Sequence, residues 1–162
     1  MKLQGRLRVP GSDDIPALLA LNNLHAQEVG TLSREDFEQL LALAFHVRMV
    51  GTADGFLIAL EQGAVYGSPN YQWFSERLSR FVYVDRVIVA PHARKLGLGR
   101  LFYNDLIEVA RAAGHTVLAC EVNCDPPNPG SDAFHAALGF VEIGRAHIPE
   151  RGKTVRYLIR EL

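Results

Sequence analysis

The chain has 162 residues, the size of one ordinary domain, with 48% hydrophobic and 22% charged residues, a composition that fits a globular chain and excludes a fibrous or unstructured one. Seventeen Lys and Arg against eighteen Asp and Glu leave a net charge of −1, so no basic surplus points to nucleic acid or an anionic membrane, and any anion site has to be local. The longest purely apolar stretches, such as Leu40–Phe45, fall short of the ~18 residues a spanning helix needs, and the charged start at Lys2, Arg6 and Arg8 has no apolar core of a signal peptide, so a cytoplasmic location is expected.

In chain order, Leu3–Val9 reads as a strand. Ser12 or Asp13 then caps a helix with Pro16 in its first turn and Leu18, Leu19, Leu21 and Leu24 on its apolar side. Ser33-Arg34-Glu35-Asp36 resembles a capping box and opens a second helix with Phe37, Leu40, Leu41, Ala44 and Phe45 at helical spacing. Val47–Val50 and Gly55–Leu60 are apolar runs joined by Gly51-Thr52-Ala53-Asp54, which predicts a hairpin. Glu61–Arg80 is polar and rich in glycine and aromatic residues, and its length predicts a functional loop with one helical turn. Phe81–Val89 is the strongest strand signal. A helix over Leu98–Ala113, a strand over Thr116–Val122, a proline-rich loop over Asp125–Gly130 and a short helix over Ser131–Leu138 follow, then strands near Phe140–His147 and Thr154–Ile159. The order predicts one α/β domain over 1–162, a mostly antiparallel sheet carrying helices. Cys120 and Cys124, spaced i, i+4 ahead of prolines, suit neither a disulfide framework nor a zinc site, and no spacing of His, Asp or Glu suggests a metal.

Arg94-Lys95-Leu96-Gly97-Leu98-Gly99-Arg100 lies between the strongest strand and the longest later helix. Glycines let backbone approach a ligand, and the first amides of a helix are unpaired donors at its positive end, so such a turn can cradle a phosphate. Arg94, Lys95 and Arg100 gather where the helix dipole disfavours cations, which an anion would offset. A solvated basic turn with glycines for tight packing fits the same seven residues. Neither a dinucleotide fingerprint nor a P-loop is present.

This turn, after Val87-Ile88-Val89-Ala90-Pro91, resembles the acyl-CoA pyrophosphate loop of the GNAT superfamily of acetyl-CoA-dependent N-acetyltransferases. Asn128-Pro129-Gly130-Ser131-Asp132-Ala133-Phe134-His135-Ala136-Ala137-Leu138-Gly139-Phe140 resembles that superfamily's second motif, an Asn before a short helix ending in Leu-Gly-Phe. The resemblance implies a mixed sheet splayed at a central parallel strand pair, with helices on both faces. It implies acetyl-CoA as cosubstrate, held by backbone at Val87 and Val89, by Arg94, Lys95, Leu96, Gly97, Leu98, Gly99 and Arg100 at the pyrophosphate, and by Asn128 at the pantetheine arm. It also puts His135 where the family often carries a tyrosine that protonates the leaving thiolate.

Asp85 alternates onto the side of Val87 and Val89, where it could take the amine proton, bind a substrate ammonium or pair with a structural cation, while Arg86 is expected to point the other way. His135 could donate a proton or simply hydrogen-bond within its helix. Glu121 and Asn123 share one side of their strand and could contact substrate or close the Pro126-Pro127 loop. Tyr71, Trp73 and Phe74 could wall an acceptor pocket or form a satellite core. The expected activity is acetyl transfer to a small-molecule or peptide amine, with no nucleic acid or membrane partner and a homodimer left open. A non-catalytic acyl-CoA-binding regulatory module and a plain nucleotide site are the alternatives.

Overall fold

The computed structural model describes residues 7–162. Three helices come first, α1 over Ile15–Leu24, a short α2 over Ala26–Val29 and α3 over Arg34–Leu43. Pro16 sits in the first turn of α1, which buries Leu18 and Leu21. The Ser33 side chain accepts a hydrogen bond from the Asp36 amide at 3.1 Å and so caps α3, which buries Phe37 and Leu40. The hairpin is β1, His46–Val50, and β2, Gly55–Glu61, in a register running from His46 opposite Ala59 to Val50 opposite Gly55.

The later elements are α4 (Pro69–Ser75), β3 (Val82–Val89), α5 (Leu98–Ala112), β4 (Val117–Asp125), α6 (Pro129–Ala137), β5 (Val141–Ile148) and β6 (Lys153–Glu161). The strand order is β1-β2-β3-β4-β6-β5. β1 with β2, β4 with β6 and β5 with β6 are antiparallel. β3 and β4 form a parallel pair, with Val82 beside Leu118 and Tyr83 beside Ala119, so the sheet is mixed as expected.

The chain gathers into two compact units. One takes the chain up to Leu60 with Val84–Val109; its core includes Leu18, Phe37, Met49, Phe56, Ile88, Phe102 and Leu106. Phe37 meets Phe56 edge to face at 6.0 Å. Gly55 is needed there because a Cβ would lie 2.9 Å from the Ile88 carbonyl oxygen. The other unit takes Glu61–Tyr83 and Ala110–Leu162, and its core is aromatic, with Tyr71, Phe74, Phe81, Tyr83 and Tyr157 all buried.

Five readings shift. A 3-10 turn over Ser12–Asp14 precedes α1, whose N-cap is Asp14 with no side-chain cap bond, so neither Ser12 nor Asp13 caps it. The long loop after β2 contains a seven-residue helix, α4, because Ser68 accepts from the Tyr71 amide and Pro69 opens the first turn. α6 begins at Pro129, before the expected Ser131, because Asn128 supplies the cap. The short α2 was not expected. The strand over Leu3–Val9 lies mostly outside the described residues; within them Arg8 makes a single antiparallel bridge to Met49.

Candidate functional site

In the first unit β3 alternates between buried positions at Val84, Arg86 and Ile88 and half-buried ones at Asp85, Val87 and Val89. After the 3-10 turn Pro91–Ala93 the chain reverses through Lys95 at φ +65° and Gly97 at φ +78°. Nothing lies within 4 Å of where a Gly97 Cβ would be. Leu98 is buried and pins the start of α5, whereas Arg94, Lys95, Leu96 and Arg100 are exposed and Gly99 is intermediate. The Leu101 amide is the first in this helix to bond back, to the Gly97 carbonyl at 3.0 Å. The Arg94 guanidinium lies along its own strand end, donating to the Val89 carbonyl at 3.4 Å and to Nε2 of His25 at 2.9 Å. His25 Nδ1 lies 3.1 Å from the Leu21 carbonyl, so the tautomer that satisfies both contacts carries its proton on Nδ1.

Asp85 does not stand open on this strand. Its carboxylate is 2.6 Å from Arg86 Nε, the two side chains are 4% and 5% exposed, and Arg86 also donates to Asn22 Oδ1 at 2.6 Å. Arg86 therefore does not point away from Asp85 as alternation alone predicts; its long stem folds the guanidinium back onto its neighbour. Asn22 and Asn23 go on to bind the Gly30 and Leu32 carbonyls, so this polar chain ties β3 to the connection before α3.

In the second unit the Asn128 side chain caps α6, accepting from the Ser131 amide at 3.3 Å, so its NH2 is the part the cap does not use. The Asn123 carbonyl accepts from the Asn128 amide at 3.2 Å, which closes the proline-rich loop through backbone. His135 is buried between Phe134 and Phe140, and its Nδ1 donates to the Ser131 carbonyl at 2.8 Å. Burial pushes its pKa below the ordinary value, against the pull of Ser131 and Asp132, so the imidazole is held neutral.

The Glu121 carboxylate is held by donors at both oxygens. Tyr83 donates its hydroxyl to Oε2 at 2.7 Å and Asn70 donates Nδ2 to Oε1 at 3.1 Å. Tyr71 and Phe74 are buried against Phe81 and Tyr83. Trp73 stacks on Tyr157 at 4.1 Å, and the Arg77 guanidinium covers the ring at 3.9 Å. Among the described residues no group of three or more His, Cys, Asp or Glu is placed to hold a metal ion, and no helix is long and apolar enough to cross a membrane.

A family model described as the acetyltransferase (GNAT) family matches residues 19–140. The chain belongs to the GNAT acetyltransferase family. No curated protein matches it in sequence. Solved structures share its fold over nearly the whole length. Ard1 from Thermoplasma volcanium matches with a TM-score of 0.76 at 15% identity, covering 98% of this chain and 97% of that one. NAA60 from Arabidopsis thaliana, solved in complex with acetyl-CoA, matches at 0.74 and 13% identity, covering 97% and 98%. Ribosomal-protein-alanine N-acetyltransferase from Brucella melitensis matches at 0.70 and 24% identity, covering 97% and 99%.

Within this GNAT chain, three residues of the Glu121 cluster escape sequence reading. Tyr83 was accessible in principle, since it lies two residues before Asp85 on the same strand. Asn70 was not, because its contact with Glu121 spans 51 positions. Tyr157 becomes visible only once β4 and β6 are in register, which sets it opposite Glu121.

The GNAT chain should also lose stability in mild acid. The unfolded chain protonates His135 near its ordinary 6.5, whereas burial lowers that value in the fold, so stability is full above about pH 6.5 and drains as pH falls below it. His46 acts with the same sign, its pKa lowered by burial and by Arg48 against the opposing pull of Asp105. Thermal unfolding at about pH 5 and pH 7.5 should give the lower midpoint in acid, and His135→Gln should reduce the difference.

Proposed function

We propose that the protein is an N-acetyltransferase that moves the acetyl group of acetyl-CoA to a primary amine while both are bound. The observation that carries the reading is the turn between β3 and α5. It combines two left-handed residues, open space over Gly97, the unpaired first amides of a fifteen-residue helix and the exposed Arg94, Lys95 and Arg100. That donor set fits a diphosphate. The Asn128 side-chain NH2, which the cap does not use, fits an amide-bearing arm.

Acetyl-CoA supplies the activated acyl group. The protein supplies proximity and charge. We assign Glu121 to the acceptor ammonium, because its carboxylate is already oriented by two donors. We place Asp85 as a support of β3, since its charge is committed to Arg86. His135, neutral and donating from Nδ1, is suited to accept a hydrogen bond at Nε2 rather than to act as a strong acid. The same feature favours the second reading, a CoA-binding module without turnover. Thiol release from acetyl-CoA with a panel of amines separates the two, since binding without turnover on any acceptor favours the module.

Calorimetric titration with coenzyme A tests the common ground. The double variant Arg94→Glu, Arg100→Glu should weaken affinity by about tenfold or more while leaving the melting temperature near that of the parent, because both side chains are exposed. Absence of binding by the parent, or equal binding by the variant, would refute the assignment of the turn.

A further inference from the structure

We propose that Asn70 and Tyr157 are positioning residues for Glu121, fixing the direction in which its carboxylate is presented and keeping it charged. The proposal rests on the assignment of Glu121 to the acceptor ammonium for its functional meaning, but the network stands on geometry alone.

Glu121 on β4 and Tyr157 on β6 are directly opposite in the antiparallel ladder, so their side chains share one side of the sheet. They do not close on each other through one bond. Tyr157 donates its hydroxyl to Asn70 Oδ1 at 2.9 Å, and Asn70 donates Nδ2 to Glu121 Oε1 at 3.1 Å. An ionised carboxylate only accepts, so Asn70 has to turn its NH2 toward Glu121 and its carbonyl away, and that carbonyl then requires a donor. Tyr157 is that donor. Its phenol keeps its proton, because burial and then the charge of Glu121 push its pKa up to about 12 against the weaker pull of Arg77 and Arg151.

The chain of donation therefore runs in one direction, from Tyr157 through Asn70 to Oε1, while Tyr83 on β3 holds Oε2 at 2.7 Å. Tyr157 cannot easily swing out of this role. Its ring is stacked on Trp73 at 4.1 Å and meets Phe74 edge to face at 5.4 Å. Asn70 is 3% exposed and sits in the first turn of α4, where Ser68 and Pro69 fix the helix start. Without the phenolic hydroxyl the buried Asn70 carbonyl loses its donor, and the orientation of the amide rests on its bond to Glu121.

The test uses the intact protein with 13C-labelled glutamate, the Glu121 carboxyl resonance being assigned by its loss in Glu121→Gln. Tyr157→Phe keeps the stacked ring and removes the hydroxyl alone. Its Glu121 titration midpoint should rise by about half a pH unit, roughly a threefold gain in proton affinity, with the melting temperature little changed. Asn70→Ala should move the midpoint in the same direction. With a hexapeptide carrying a free α-amine as the probe, Tyr157→Phe should raise the KM for the amine several-fold with a smaller effect on kcat. A midpoint in Tyr157→Phe equal to that of the parent overturns the proposal, whether or not Asn70→Ala folds. If the parent binds no coenzyme A, the transferase reading fails on its own, and the titration still decides the network.

Discussion

Asp85→Ala is expected to destabilise the fold far more than it disturbs any chemical step. The substitution leaves the Arg86 guanidinium, 5% exposed, without the carboxylate 2.6 Å away. A buried charge stripped of its counterion costs about 3–5 kcal/mol, a large share of the roughly 5–15 kcal/mol that holds a domain folded. Asn22 cannot replace the lost charge, since it offers Arg86 only an amide oxygen that is already bonded at 2.6 Å. The measurement is chemical denaturation followed by circular dichroism, alongside coenzyme A titration of whatever fraction is folded. A variant that melts with the parent and binds coenzyme A normally, yet loses activity by a hundredfold or more, would return Asp85 to the role of base.

Gly144→Val is the second large effect, and its origin is steric. A Cβ at this position would lie 2.5 Å from Cζ2 and 2.8 Å from Cη2 of Trp73. The indole has little room to retreat, because Tyr157 stacks on its ring and Arg77 covers it. Gly144 also sits at the bulge where the β5 register shifts between Glu142 and Gly144. Overpacking of this kind costs about 1–3 kcal/mol. The melting temperature should drop accordingly, and pairing the change with Trp73→Leu should recover part of it. Full stability in Gly144→Val alone would mean that the strand shifts away from the helix at no cost.

The sequence made the elements legible where local rules suffice. Ser33 ahead of Asp36, the apolar spacing of Leu98–Ala112 and the glycine-bearing turn at 51–54 each encode structure within a few residues, and each element formed. The Asn-Pro and Ser-Pro pairs at 128–129 and 68–69 carried equally local information about helix starts that periodicity alone overlooked. The turn after β3 was readable as a motif because its residues are contiguous. What could not be read were partnerships set by packing. Alternation placed Asp85 correctly on its strand but said nothing of a guanidinium folding back from the next residue. Aromatic residues at 71, 73 and 74 suggested a pocket wall or a small core, and only burial distinguishes Tyr71 and Phe74 from the partly exposed Trp73. Glu121 was visible as a candidate, but the groups that orient it come from α4, β3 and β6.

The stacking of Trp73 between a phenol ring and a guanidinium also gives the protein an optical reporter of its own. It is the sole tryptophan in the chain, so excitation selective for indole reads this one place. A change in how Tyr157 or Arg77 lies against the ring alters its quenching and its emission wavelength, and Tyr157 is one bond from Asn70 and two from Glu121. Events at that carboxylate can therefore be followed by fluorescence without adding a dye.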